Sequence, residues 1–156
     1  MTQRLNYYAL AQKPLELLLG VEEYLKGSGL ESGLLHLVKM RASQINGCAY
    51  CLHMHSADAL KDGEDAKRLF LLDAWEESNL YKPRERAALA WTEALTKVAE
   101  THAPDADYAE LKAHFSDQEI ADLTVAIGMI NSWNRISIGL RSEHPNDKPA
   151  RRTEAA

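Results

Sequence analysis

This 156-residue sequence has no long apolar run and no basic stripe, and its first twenty residues do not have the pattern of a signal peptide; each of these observations argues against a class of protein. No apolar run approaches the length of a membrane span. Lys13, Pro14 and Glu16 interrupt the most apolar part of the N-terminus, which a signal peptide would not tolerate. The formal net charge of -5, without a stripe of basic residues, is unlike that of a protein that binds nucleic acid or an anionic membrane. We therefore expect a cytoplasmic protein with neither kind of partner.

Cysteine is scarce. The two cysteines, Cys48 and Cys51, are three residues apart, and no second Cys-x-x-C is present. In a reducing compartment such a pair is a poor structural staple, so catalysis or metal binding is the better interpretation. Zinc ribbons usually carry two such pairs, which makes a metal site the weaker of the two hypotheses.

Strand patterns are missing as well. No alternating run of β-branched residues is long enough to form a sheet, and no repeat, linker or change of composition divides the chain. Apolar residues make up 46% and charged residues 26%, as in folded soluble proteins. The sequence therefore predicts one all-α domain over residues 1–140, followed by a polar C-terminal tail over residues 141–156.

Caps and apolar spacing predict about six to seven helices in this domain. Gly27 and the pair Asn46-Gly47 are expected helix ends, and Ser116 with Glu119 forms an expected capping box. The predicted helices cover, approximately, residues 14–25, 32–46, 48–61, 65–77, 84–99, 105–114 and 117–140. On the fifth helix, Leu89, Leu95 and Val98 are expected to point inward. The apolar residues of the fourth helix look exposed, and we expect some of them to be buried between subunits: Leu69, Phe70, Leu71, Leu72 and Trp75.

The third predicted helix carries the residues of greatest chemical interest. Cys48, Cys51 and His55 have the spacing that places side chains on one helical face. A helix N-terminus stabilises a thiolate, a nearby histidine can move its proton, and a second thiol can close a disulfide. Gly47 is expected to allow a tight turn that leaves this first helical turn accessible. The pattern is typical of a reversible two-electron thiol catalyst.

Two other interpretations of these residues remain open. The cysteines could be half of a zinc site completed by His55 and another histidine. They could also be two buried cysteines that act as small apolar side chains. Redox chemistry is the leading hypothesis because the spacing of the cysteines, their position at the start of a helix and the nearby histidine all favour it.

At this point the sequence resembles a known family. The segment Leu37-Val38-Lys39-Met40-Arg41-Ala42-Ser43-Gln44-Ile45-Asn46-Gly47-Cys48-Ala49-Tyr50-Cys51, followed by Met54-His55, is similar to the core of the alkylhydroperoxidase D-like (AhpD-like) branch of the carboxymuconolactone decarboxylase family. The segment Asn131-Ser132-Trp133-Asn134-Arg135 is also similar to one found in many relatives. The resemblance covers nearly all of the chain outside the tail.

The resemblance implies an all-α fold that assembles into homo-oligomers, commonly trimers or hexamers. It implies reduction of organic hydroperoxides by a peroxidase-type oxidoreductase that needs no metal or bound cofactor, only a dithiol reductant or adaptor protein as co-substrate. By the same resemblance Cys51 attacks the peroxide, Cys48 resolves the product and His55 relays protons. From the residues alone Cys48 is an equal candidate for the attack, because it lies nearer the helix start.

The chain departs from the family pattern at two positions. The best-described peroxidases carry a glutamate twelve residues before the first cysteine, which orients the relay histidine, and this chain has His36 there. An imidazole cannot provide the electrostatic support that a carboxylate gives to a charged His55, although it can pass protons through water. His36 is therefore expected to be a weaker part of the relay. The second departure is Tyr50, which replaces a histidine between the cysteines.

Polar residues also interrupt the last predicted helix. Asn131, Asn134 and Arg135 either line a pocket or oligomer contact, or they brace neighbouring helices through hydrogen bonds, which we favour. Arg41 is interpreted in the same way.

Two competing functions stay open: a lactone decarboxylase of the same fold, for which the Cys-x-x-C pair is not typical, and a non-enzymatic redox-responsive or zinc-binding module.

Overall fold

The computed structural model of the chain describes residues 2–143. Within that range the chain forms nine α-helices, one 3₁₀ helix and no β-strand, so the predicted all-α class is confirmed. The helices are α1 (Tyr7–Leu10), α2 (Gln12–Lys26), α3 (Ser32–Asn46), α4 (Ala49–Lys61), α5 (Ala66–Leu71), the 3₁₀ helix (Leu72–Glu77), α6 (Pro83–Thr96), α7 (Val98–Thr101), α8 (Asp105–His114) and α9 (Asp117–Leu140). The predicted polar tail lies outside the described residues from position 144 onward.

Local capping determines the helix ends that the sequence predicts best. Gly47 has a φ of 69°, in the left-handed region that glycine enters without a steric penalty, and it ends α3. Ser116 accepts a hydrogen bond from the backbone N–H of Glu119, and the Glu119 carboxylate accepts one from the backbone N–H of Ser116. Both ends depend on neighbours in sequence, and both predictions are confirmed.

Two predicted helices are interrupted in the structure. The helix predicted over 65–77 ends at Leu71 and continues as a 3₁₀ helix in which Ala74 has a non-helical φ of -115°. The guanidinium of Arg86 donates to the carbonyl oxygens of Trp75, Glu76 and Ser78, which compensates for the helical hydrogen bonds that are lost. The sequence does not reveal this compensation, because Arg86 lies on another helix.

The second interruption is at Lys97, whose φ of -104° separates α6 from the short α7. Leu89 is fully buried as predicted, whereas Val98 is half exposed, so the inward position expected for Val98 is wrong. The short helix α1 was not predicted. Helix α2 begins at Gln12, two residues before the expected start at Pro14, which its first turn accommodates.

The core is built around α3, which packs against α4, α6 and α9. Leu37 and Val38 of α3 are fully buried. Some of five apolar residues are expected at a subunit contact, but three of them, Leu69, Leu72 and Trp75, are buried inside this chain, because α5 and the 3₁₀ helix pack them into a cluster with residues of α3. Of the helices between residues 2 and 143, none is both long and apolar enough to cross a membrane.

Candidate redox site

The turn between α3 and α4 positions the two cysteines. After Gly47, the backbone N–H of Cys48 donates to the carbonyl oxygen of Ser43 at 3.0 Å, which closes α3. Cys48 is the N-cap of α4, and its Sγ accepts a hydrogen bond from the backbone N–H of Cys51 at 3.3 Å. The pair therefore lies where unpaired backbone N–H groups favour negative charge on sulfur.

The two sulfurs are bonded to each other and buried. Cys48 and Cys51 form a disulfide with a Cα–Cα distance of 5.3 Å, and each residue is 1% exposed. They form a small cluster with Ala42 of α3 and Ile130 of α9. Gly47 and Ala49 of this turn are exposed, as expected, but the two cysteines are buried against α3 and α9. The turn geometry is as predicted, but the exposure depends on helices distant in sequence.

Aromatic side chains form the wall of the sulfur cluster. Tyr50 and Trp133 pack against it while remaining partly exposed. On the outer side, α1 brings Tyr8 to Tyr50, and burial together with the phenols of Tyr7 and Tyr50 raises the pKa of Tyr8 to about 12.

His55 lies one turn beyond Cys51 on the buried face of α4. It is 8% exposed. Burial, the Lys39 ammonium and His36 together lower the pKa of His55 from 6.5 to about 3. The imidazole is therefore neutral at physiological pH, and its protonated form is strongly disfavoured in this state of the protein.

His36, the fourth predicted site residue, makes its hydrogen bonds elsewhere. Its Nε2 lies 2.8 Å from Oδ2 of Asp62 and 3.3 Å from Oγ of Ser32. These side chains line an open cavity of about 430 Å³ on the surface between α3 and the end of α4. The structure thus brings Cys48, Cys51 and His55 to one buried face, whereas His36 acts on His55 only through space, in the direction that disfavours its charged form.

The polar residues of α9 form a bracing network, as the favoured interpretation holds. Asn46 at the end of α3 donates from Nδ2 to Oδ1 of Asn131 at 2.9 Å and to Oδ1 of Asn134 at 2.8 Å. Asn134 donates to Oγ of Ser43 at 3.0 Å, and Arg135 donates to the carbonyl oxygen of Asn131 at 2.9 Å. The network joins α9 to the turn that holds the cysteines. The sequence predicts only that Asn46 ends a helix, because its two hydrogen-bond partners are far away in sequence.

Arg41 is braced in a similar way. Its side chain is buried and bonded to Glu93 at 2.8 Å, to Gln44 at 3.2 Å and to Asp73. Trp75 donates to the same Glu93 carboxylate at 2.7 Å. These contacts hold α3, α6 and the 3₁₀ helix together, away from the sulfurs.

The sequence does not indicate a partly buried ion pair that lies near the site. Nζ of Lys39 lies 2.6 Å from Oε2 of Glu22, and the indole N–H of Trp133 donates to Oε1 of Glu22 at 3.0 Å. The one signal in the sequence is a lysine between apolar residues of α3, which by itself does not indicate a partner.

No group of three or more His, Cys, Asp or Glu side chains in the described range could hold a metal ion, so the proposed zinc ligand set has no counterpart there.

Comparisons with known proteins agree with this architecture. The model of the carboxymuconolactone decarboxylase family matches residues 12–94. The uncharacterised protein YdfG of Bacillus subtilis (strain 168) is 40% identical over 140 residues, which cover 90% of this chain and 95% of YdfG.

Two solved structures have similar folds. A protein of unknown function from Agrobacterium tumefaciens, provisionally assigned to antioxidant defence as AhpD, superposes with a TM-score of 0.89 at 47% identity, covering 92% of this chain and 99% of that one. An uncharacterised peroxidase-related protein from Silicibacter sp. TM1040 superposes with a TM-score of 0.77 at 24% identity, covering 87% and 72% of the two chains, and supports the fold alone. From its family match and its structure together, the chain belongs to the carboxymuconolactone decarboxylase family and has the AhpD-like all-α fold.

Proposed function

We propose that this protein is a thiol-dependent peroxidase that reduces small organic hydroperoxides with the Cys48–Cys51 pair. The observation that carries the proposal is the disulfide at the start of α4, with a buried and neutral His55 one turn further along. A disulfide between neighbours three apart can open and close with little movement of the backbone. In the oxidised protein the pKa of His55 is about 3, too low to take a proton from a thiol, so the proposed relay needs the negative charge of the reduced pair, which favours the charged imidazole.

The two thiols of the reduced protein supply the two electrons and two protons that reduce the hydroperoxide to an alcohol and water. The Cys51 thiolate attacks the terminal peroxide oxygen, the O–O bond breaks, and the departing alkoxide takes a proton to become an alcohol. Cys51 is then a sulfenic acid, which the Cys48 sulfur attacks, releasing water and forming the disulfide. A dithiol reductant or adaptor protein returns two electrons and two protons. His55 is proposed to take the thiol proton and return it to the leaving oxygen.

Burial of the sulfurs supports a small substrate. Both cysteines are 1% exposed, so a peroxide reaches them only past Tyr50 or Trp133. The attacking role of Cys51 follows the family resemblance. The N-terminal N–H groups of α4 favour a thiolate on either sulfur.

The test is peroxide consumption by the purified protein with a panel of dithiol donors. We expect turnover with at least one donor, and loss of turnover in Cys48→Ser and Cys51→Ser. His55→Ala should slow the reaction by roughly a hundredfold or more, since general acid–base help is lost while both sulfurs remain. His114→Ala is the matched control, because this histidine lies near the surface, bonded to Glu110.

Mass spectrometry after mild peroxide treatment should show the loss of two hydrogens in the peptide that holds both cysteines. Stable over-oxidation of a single cysteine, without the bridge, would count against the proposal. Absence of peroxide turnover with every donor would leave the lactone decarboxylase or the non-enzymatic redox or zinc module, which lactone turnover, metal content and a free-thiol count distinguish.

A further inference from the structure

The ion pair between Lys39 and Glu22 is largely shielded from solvent and lies beside the sulfur cluster. The two side chains are 15% and 16% exposed, and they belong to different helices, α3 and α2. The Glu22 carboxylate is held from a third helix by the indole of Trp133. Because Trp133 also packs against the sulfur cluster, one aromatic ring separates this carboxylate from the disulfide.

The register of α3 and α4 places Lys39 opposite His55. The two helices form an antiparallel hairpin about Gly47, and the hydrogen bond between His36 and Asp62 fixes one end of it. At the other end Ala42 packs with the two cysteines. Lys39 lies one turn from Ala42 towards His36, and His55 lies one turn from Cys51 towards Asp62, so both occupy the level between these ends.

The charges around His55 have a definite order. From α3 the Lys39 ammonium and the His36 ring both disfavour a charged His55, and the Asp62 carboxylate is bonded to His36. From α9 the guanidinium of Arg135 is bonded to Asn131, and from α2 the Glu22 carboxylate pairs with Lys39. On α4 the titratable Tyr50 packs against the sulfur cluster. Of the two positive influences on His55, that of the Lys39 ammonium is the larger, and His55 itself is neutral and supplies no positive charge for a thiolate.

We propose that Lys39 and Glu22 are positioning residues that set the thiolate fraction of the reduced cysteine pair, Lys39 by favouring the thiolate and Glu22 by limiting that effect. An ammonium close to a thiol stabilises its ionised form, and a carboxylate paired with the ammonium offsets part of its charge. The inference rests on the proposed role of the thiols as nucleophiles. It assigns the positive charge of the site to Lys39 rather than to His55.

The test is a pH titration of the thiolate absorbance of the reduced, full-length protein, with the oxidised protein as reference. Lys39→Met should raise the apparent pKa of the more acidic thiol by about one unit, a tenfold smaller thiolate fraction at neutral pH. Lys39→Arg should restore the parent curve because it retains the charge. Glu22→Gln should shift the pKa in the opposite direction, because it leaves the ammonium unneutralised. The rate of alkylation by a small haloacetamide should follow the same order.

Opposite shifts from the two members of one ion pair are the decisive result. If both substitutions lower the melting temperature and neither moves the titration, or if both move it in the same direction, the pair is a structural brace and the inference is wrong. Glu22→Gln is the milder change, since glutamine can still accept a hydrogen bond from the indole N–H. If the pKa of the more acidic thiol is unchanged or raised in Glu22→Gln, the inference is overturned even if Lys39→Met does not fold. Neither readout uses a peroxide, so failure of peroxide turnover would overturn the proposed function and leave this result standing.

Discussion

At the scale of single residues, the protonation of His55 decides most about the site. Burial is the largest cause of its low pKa, with smaller contributions from Lys39 and His36. A histidine in water changes charge near pH 6.5, whereas this one stays neutral down to about pH 3. The pH dependence of the reaction above neutrality should therefore follow the thiols rather than the histidine.

This shift in pKa predicts how stability depends on pH. Between pH 6.5 and about 3 the unfolded chain binds a proton on His55 that the folded protein does not, so the free energy of unfolding falls as the pH is lowered through this window. We expect His55 alone to cost about 2 kcal/mol at pH 5 relative to pH 7. Urea unfolding of the oxidised protein at both pH values measures the loss.

His55→Gln should remove this part of the pH dependence, and His114→Gln should retain it, because His114 is partly exposed and paired with Glu110. The same loss of stability in the parent and in His55→Gln would mean that His55 is charged in the folded protein.

His36 gives a second prediction at this scale. The ring of His36 disfavours a charged His55, whereas the carboxylate introduced by His36→Glu favours it. The rate of peroxide reduction should therefore rise, or its pH optimum should move. The change also places two carboxylates together, since Asp62 is the partner of His36, and stability should fall. His36→Ala should depress the rate. The measurement is thiol loss against pH for the three proteins, and identical profiles would exclude a relay role for His36.

At the scale of elements, the hairpin of α3 and α4 holds the site together. Gly47 provides the left-handed residue at its turn, and Asn46 beside it bonds to both asparagines of α9. The cysteines follow immediately, so this turn sets where the first turn of α4 begins. The hairpin is thus both a folding element and the support of the redox pair.

Two glycine substitutions test the turn. Gly47→Ala should lower the free energy of unfolding by about 1–2 kcal/mol, because alanine in the left-handed region carries that steric penalty. Gly128→Ala is the matched control: it lies inside α9 with open space around an added Cβ, and should raise stability by about 0.5–1 kcal/mol. Chemical unfolding measures both, and equal effects of the two changes would show that the backbone angle of Gly47 is not a constraint.

At the scale of the whole molecule, several large apolar side chains of the described residues are exposed, among them Leu10 and Leu17 on the N-terminal helices and a group around Phe70. Phe70 is 83% exposed, and Leu60 and Leu71 are each at least 39% exposed. Phe70 and Leu60 line a surface cavity of about 440 Å³ between α4 and α5. Exposed apolar groups of this kind are typical of surfaces that associate.

Assembly is therefore predicted to involve Phe70 rather than the residues buried beside it. Light scattering should give a mass that is a multiple of 17.5 kDa, and Phe70→Ser should reduce it without lowering the melting temperature of the subunit. Leu72→Ala is the contrasting variant: it should cost about 2–5 kcal/mol of stability, because Leu72 is fully buried in the core. A monomer at micromolar concentration would contradict the prediction of an oligomer.

The sequence by itself determined what depends on neighbours along the chain. Gly47 ends α3, Ser116 and Glu119 begin α9, and the spacing of Cys48, Cys51 and His55 places them on one face of α4. Each of these features needs only a backbone conformation or a hydrogen bond within a few residues, so its residue pattern is sufficient to predict it.

The tertiary structure decided what depends on helices that are distant in sequence. It buries the two sulfurs beneath α9, breaks the fourth predicted helix at Ala74, and joins Glu22 to Trp133 across 111 residues. It also makes His55 neutral, because desolvation depends on what packs around a side chain and not on its neighbours in sequence. The identity of the redox residues is thus local information, whereas their protonation and access are properties of the packed fold.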